Sequence, residues 1–175
     1  MEILATLILA AASMTIVPIT EANYPLVAKI YKEGINTGLA TFETQVPAWK
    51  KWHTAHLNYG RIAVLSKDKM LGWASLAPVS NRCVYGGVAE VSVYIAEAYR
   101  GKGIGKKLLQ ELIKISEEHG IWTLQAGIMT ANIASIHLHT SCGFRIIGYR
   151  EKIGKLHDIW LDNTLLERRS KHIGI

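Results

Sequence analysis

Residues Val88 to Leu109 read VAEVSVYIAEAYRGKGIGKKLL, and two periodicities meet inside them. Over Val88–Ile95 the positions Ala89, Val91, Val93 and Ile95 are apolar, while Glu90, Ser92 and Tyr94 alternate with them. Period two predicts a strand with one face in the core and one polar face. From Ile104 the apolar positions Ile104, Leu108, Leu109, Leu112 and Ile113 fall on one helical stripe, which ends at His119-Gly120. Between strand and helix lie Gly101, Gly103 and Gly105, among the cations Arg100, Lys102, Lys106 and Lys107. The first turn of a helix exposes unpaired N–H groups and the positive end of its dipole. Glycines leading into a helix therefore point to a bound phosphate.

On the N-terminal side a strand is expected over 15–18. A helix follows, capped by Thr20, with Glu21 early in it and Leu26, Val27, Ile30, Tyr31 and Ile35 at helical spacing. Residues 38–44, GLATFET, read as a loop, and Pro47 opens a second helix carrying Trp49, Trp52 and Leu57. The stretches 61–66 and 70–77 flank the polar Lys67-Asp68-Lys69 turn and read as a hairpin. Residues 78–87 form a loop. Beyond the central helix, 122–128 is a strand, 131–141 a helix stopped by Gly143, and 144–150 and 159–167 the last strands. The fold class expected is α+β: a single domain with a central mixed, mostly antiparallel twisted sheet and helices on both faces.

The 175 residues are 49% hydrophobic and 19% charged, which suits one compact domain. A net charge of +6 is compatible with nucleic-acid binders and with enzymes for anionic cofactors alike. Cys83 and Cys142 are too few for a disulfide framework and lie in no CxxC array, so a reducing, cytoplasmic setting is expected. The stretch 1–13, MEILATLILAAAS, is apolar but lacks a positive leader and is too short to span a bilayer. It reads as a local extension, with a targeting segment as the alternative. The domain is expected over 14–170, with a tail at 171–175 and no membrane-crossing segment.

Two phosphate-binding motifs fail on spacing. A Walker A loop needs four residues between its glycine and Gly-Lys, then Ser or Thr; here three residues separate Gly101 from Gly105, and Lys106 precedes Lys107. A dinucleotide fingerprint needs GxGxxG and a later carboxylate, and residues 121–125 offer none. The run Arg100-Gly101-Lys102-Gly103-Ile104-Gly105 instead resembles the R/Q-x-x-G-x-G/A signature of the GNAT superfamily of acyl-CoA-dependent N-acetyltransferases. NIASIHLHTSCGF (132–144) resembles the N-x-x-S-x-x-L-[YH]-x-x-x-GF element of that superfamily. Together with AEVSVYI, ATFET, GKLHDIW and DIWLDNTLLERR, the set is similar to the phosphinothricin N-acetyltransferase-like branch, over roughly Thr15 to Arg169.

The resemblance implies acetyl-CoA as co-substrate. It assigns the cofactor to Val93, Tyr94 and Ile95 on the strand, to Arg100, Gly101, Lys102, Gly103, Ile104, Gly105 and Lys106 in the loop and first turn, and to Asn132 and Ser135. Backbone groups of Val93 and Ile95 are expected to pair with the pantetheine amides and to hold the thioester carbonyl. Asn132 and Ser135 also suit plain helix capping.

Acetyl transfer to an amine needs a base, and Glu90, unusual in mid-strand, is the expected one; a solvated carboxylate is its other reading. His139 stands where many superfamily members carry tyrosine, either as an imidazolium protonating the thiolate or as a pocket wall. On the substrate side Arg82 is expected to meet a carboxylate, with Phe42, Tyr85 and Glu90 around it, while Trp73 is read as core. His157 is either close to the site or structural. His137 and His139 lie two apart on a helix and cannot share an ion, so no metal is expected.

The function expected is acetylation of the α-amine of a small amino acid or analogue: phosphinothricin, methionine sulfoximine or methionine sulfone. The alternatives are protein N-termini or polyamines with the same cofactor and, more remotely, a basic nucleic-acid module. No nucleic-acid motif or interleaved aromatic platform accompanies the cations. The partners expected are a small amino acid and a second copy of the chain in a homodimer, with neither nucleic acid nor membrane.

Overall fold

The computed structural model describes residues 14–175, so the expected extension at 1–13 lies outside the described residues. β1 (Met14–Pro18) is followed by α1 (Tyr24–Asn36) and the short α2 (Trp49–Ala55). β2 (Ile62–Ser66) and β3 (Lys69–Pro78) form the expected hairpin, with Lys67 in the left-handed region at φ 54°. Then come β4 (Val88–Ile95), α3 (Ile104–Glu118), β5 (Thr123–Met129), α4 (Ile133–Ser141), β6 (Arg145–Leu156) and β7 (Ile159–Arg169).

The seven strands make one sheet of order β1-β2-β3-β4-β5-β7-β6. Every neighbouring pair is antiparallel except β4 and β5, which α3 connects in parallel. Alternation along β2 shows how both faces are covered. Ile62 and Val64 join a cluster with Leu108, Leu109 and Leu112 of α3, against which Ile136 and Leu138 of α4 also pack. Ala63, between them, joins a second cluster with Tyr24, Val27 and Ile30 of α1 and Trp52 of α2. The α3 leucines are fully buried, each stabilising the fold by about 1.5–3 kcal/mol.

Two expectations need correction. Thr20 does not cap α1: Asn23 holds the N-cap position without a side-chain cap bond. The Asn23 amide is turned back instead, accepting from the Thr20 N–H at 2.8 Å and donating to the Pro18 carbonyl at 3.0 Å. Its bonds shape the β1–α1 turn, and a proline in the first turn starts the helix. The second face of β4 is not polar throughout, because Tyr94 stacks on Trp73 with ring centroids 4.6 Å apart. Only Glu90 and Ser92 keep that face polar, since α1 covers its Tyr94 end. At the segment 171–175 the Ser170 hydroxyl accepts from the N–H groups of His172 and Ile173, and the Ser170 N–H donates to Trp122 at 2.8 Å.

Pairing between β4 and β5 is short. It joins Val88–Glu90 to Thr123–Gln125 and then stops, so the two strands part beyond Glu90. The closed end is held by Gly87, whose carbonyl accepts from the N–H groups of Trp122 and Thr123. A β-carbon at Gly87 would lie 2.1 Å from the Trp122 indole, so the ring is seated where only glycine leaves room. Two histidines are folded in neutral. His56 donates to the Trp52 carbonyl at 2.6 Å and His139 to that of Ser135 at 2.7 Å, and burial lowers the pKa of each, outweighing those bonds.

Gly87→Ala is expected to cost about 1–3 kcal/mol by overpacking, with Tm falling roughly 2–4 °C per kcal/mol in a thermal melt. Acid should weaken the fold through His56 and His139. Their folded pKa values are depressed, so their contribution is complete above the ordinary histidine value of 6.5 and is lost as pH falls below it. Melts across that window should show Tm dropping, and His139→Gln should flatten the slope.

Candidate active site

Where β4 and β5 part, a cleft of about 860 Å³ opens, within the size range of small-molecule sites. β4 supplies Glu90 to Tyr94, β5 supplies Gln125 to Met129, and α4 supplies Asn132, Ser135 and His139. The loop 39–43 and Ile153-Gly154 of β6 roof it. The β4 backbone is the unusual wall. The Ala96 N–H turns to β3 and donates to Leu71 at 3.0 Å, and the β3–β4 register runs unbroken. Amides alternate in direction along a strand, so the N–H and C=O groups of Val93 and Ile95 face away from β3, toward the cleft. The Ile95 carbonyl accordingly accepts from Arg100 Nε at 3.3 Å.

That edge leads to the glycine loop. Gly101 and Gly103 have φ of 73° and 79°, a conformation costly for most other residues, and a β-carbon on either would touch nothing within 4 Å. Their surroundings are open. Gly103 is the N-cap of α3 and offers no side-chain cap, so the first N–H groups of the helix remain available. Gly105 has a different reason to be glycine: a β-carbon there would lie 3.0 Å from Leu138 of α4 and 3.7 Å from Ile95. It is a packing residue that lets α3 and α4 approach. Arg100, Lys102 and Lys106 are exposed around the loop, Lys102 lying 5.5 Å from the Tyr99 ring, while Ile104 is core.

At the other end of the edge, Glu90 is open to the cleft. The surrounding walls raise its pKa by desolvation, and the nearby positive charge of Arg150 offsets part of that rise. His139 lines the same cleft but is 3% exposed, with Nδ1–H committed to Ser135 and its ring edge-on to Phe144 at 5.1 Å. Burial keeps it neutral near pH 7, so the imidazolium expected as proton donor is the minority form. Asn132 caps α4, accepting from the Ser135 N–H at 3.1 Å, and also donates to the Leu39 carbonyl in the roof at 3.2 Å.

The substrate-side residues divide. Phe42 is in the roof, its ring lying where a β-carbon on Gly154 would come within 2.5 Å. Arg82 and Tyr85 are not among the residues lining the cleft; they pair with each other on the exposed loop after β3, the guanidinium 5.7 Å from the ring centroid. His157 stands at the tip of the β6–β7 hairpin at φ 46°, also outside the cleft. Among the lining residues that were not anticipated are Arg150 and Asn163, which are paired across β6 and β7. A break in the β6–β7 register between Arg150 and Gly154 shapes this wall, with Asp162 accepting from the Lys152 N–H at 2.7 Å and from the Tyr149 hydroxyl. The visible signal was the charged run Arg150-Glu151-Lys152 inside an otherwise strand-like stretch.

Among the described residues no group of three or more His, Cys, Asp or Glu side chains gathers, and His137 is exposed where His139 is buried. No described helix is long and apolar enough to cross a membrane.

Comparison with known proteins gives the arrangement a family. An L-methionine sulfoximine/L-methionine sulfone acetyltransferase of Pseudomonas paraeruginosa is 33% identical over 152 residues, covering 83% of this chain and 88% of that protein. A phosphinothricin N-acetyltransferase of Alcaligenes faecalis is 33% identical over 170 residues, covering 91% of this chain and 84% of that protein. The crystal structure of a GNAT superfamily phosphinothricin acetyltransferase from Sinorhizobium meliloti, in complex with AcCoA, superposes with a TM-score of 0.79 at 27% identity, over 92% of this chain and 95% of that one. The acetyltransferase (GNAT) family model matches residues 27–144, and the chain belongs to that family.

Proposed function

We propose that the chain transfers an acetyl group from acetyl-CoA directly to the α-amine of a small amino acid or analogue such as methionine sulfone, methionine sulfoximine or phosphinothricin. The observation that carries this reading is the parted β4 edge, which runs from the raised-pKa carboxylate of Glu90 to the open N-terminus of α3. The relatives named above, which act on such analogues, support the acceptor class.

The residues present fit an acyl-CoA. Amides about Gly101–Gly105, with Lys102 and Lys106 nearby, would hold a diphosphate, and the outward backbone groups of Val93 and Ile95 would hold an amide-bearing arm as a neighbouring strand does. When bound, acetyl-CoA supplies a thioester-activated acyl group. The remaining work belongs to the chain. Glu90 accepts a proton from the acceptor ammonium, directly or through water, and its raised pKa brings it closer to that task than an ordinary carboxylate. His139, neutral and held by its bond to the Ser135 carbonyl, forms a wall. Phe42 covers the acceptor.

The same reading takes the chain as cytoplasmic and as a homodimer. The exposed Ile146 and Tyr149 on the edge strand β6, outside the cleft, support a second copy as partner.

Thiol release from acetyl-CoA against amino acids, polyamines and N-terminal peptides tests the acceptor class; turnover of only the latter two would overturn it. Glu90→Gln is expected to lower kcat about 10²–10⁴-fold near neutral pH, with recovery as pH approaches the pKa of the amine itself. In the wild type, kcat/KM should rise with pH along a limb above the usual carboxylate range, because only ionised Glu90 accepts a proton. An unchanged kcat across pH in the variant would remove Glu90 as base. Gly103→Asp separates binding from folding. Aspartate tolerates left-handed φ and makes a good N-cap, so α3 should persist while KM for acetyl-CoA rises at least about tenfold by charge repulsion. Gly103→Asn should do less, and Lys102→Ala should change KM by no more than about threefold, as befits an exposed charge.

A further inference from the structure

The cleft contains one arginine or lysine among its described lining residues, Arg150; its other charged side chains are the carboxylates of Glu43 and Glu90. Sheet register explains why Arg150 points into it. Arg150 lies opposite Asn163 on β7, and Asn163 lies opposite Met129 on β5. Cross-strand partners share a face, and alternate residues along a strand return to it. Met129, Gly127 and Gln125 therefore face the same way as Arg150, and Gln125 is the partner of Glu90. The bonds from Lys152 and Tyr149 to Asp162 fix the backbone beside Arg150. None of the four ion pairs among the described residues engages its guanidinium. A planar fork without an ion-pair partner, on the face of a ligand cleft, matches a carboxylate.

We propose that Arg150 binds the α-carboxylate of the acceptor and, as the one arginine or lysine among the described lining residues of the cleft, makes acceptors with an uncharged side chain better substrates than anionic ones such as phosphinothricin. This rests on the amino-acid N-acetyltransferase reading above. An amino acid carries its ammonium beside its carboxylate, so anchoring the latter on Arg150 presents the former toward the Glu90 side of the cleft. A second anion on the side chain, such as a phosphinate, would face Glu43 and Glu90 with no cation left to offset it. A sulfone or sulfoximine is polar but neutral and finds the amides of Gln125 and Asn163 in the same wall.

The test is steady-state thiol release by the wild type, Arg150→Met and Arg150→Lys, with three acceptors: methionine sulfone, its carboxamide and phosphinothricin. Arg150→Met should raise KM for methionine sulfone about ten- to a hundredfold with kcat changed less than about threefold, and leave KM for the carboxamide within about twofold. Arg150→Lys should fall between wild type and Arg150→Met. The wild type should favour methionine sulfone over phosphinothricin by at least about tenfold in kcat/KM. Equal KM changes for acid and carboxamide, no change for either, or a preference for phosphinothricin would overturn the role of Arg150 while leaving amino-acid acetylation intact. Turnover of polyamines or peptides alone, with no α-amino acid accepted, would instead overturn the reading beneath it.

Discussion

The architecture depends on one strand pairing that stops early. β4 and β5 are hydrogen-bonded over Val88–Glu90 and Thr123–Gln125 and then separate. Continued pairing would satisfy every backbone group of β4 and leave no cleft. Separation leaves the amides of Val93 and Ile95 facing space, and unpaired backbone polar groups in a partly desolvated wall are costly unless something bonds to them. Packing on the other side holds the strands apart. Leu138 of α4 fits against Gly105 at the start of α3 and beside Ile95, so the two helices meet beneath the gap. The gap is thus stabilised by the core, and its polar edge is left for a ligand that can act as a strand.

Charge is arranged along that edge by the same geometry. At one end the left-handed glycines and the uncapped first turn of α3 present donors to an anion. At the other, Glu90 has few compensating donors, and desolvation lifts its pKa against the pull of Arg150. His139 contributes no net charge near neutrality, since burial disfavours its imidazolium. The two ends therefore suit two different reactants, a polyanion on the loop and an ammonium at Glu90, and the strand between them sets their separation.

Much of this was legible in the sequence because it rests on local periodicity. The strand at 88–95 and the helix from Ile104 were expected at the residues where they occur, since alternation and the apolar stripe are read from neighbours in the chain. The same holds for the hairpin around Lys67–Lys69 and for Asn132 as a cap. What was missed depends on distant contacts. Whether Tyr94 meets solvent or core depends on where α1 lands. Thr20 and Asn23 are both good capping residues, and the carbonyl of Pro18 decides what the asparagine does. Arg82, expected on the substrate side, lies outside the cleft lining, beside the Tyr85 ring on an exposed loop. Arg150 was hidden because its reach into the cleft depends on the register of β5, β7 and β6 together.

The roof shows how the two halves of the site are made to depend on each other. The loop at 39–43 has no regular structure of its own, and contacts from outside it fix its position, among them the Tyr94 hydroxyl donating to the Ala40 carbonyl at 3.5 Å. At Leu39 the carbonyl accepts from Asn132, the residue that also caps α4. At Phe42 the ring lies on Gly154, beyond the register break that sets the wall around Arg150. An amide side chain has two donors and two acceptor sites. Asn132 uses one N–H on the roof and its oxygen on the cap, which leaves one N–H free to face the cleft. Any ligand that engages that N–H also touches a residue holding the roof in place. Asn132 of the α4 cap and Tyr94 of the β4 edge thus both hold the roof over the cleft.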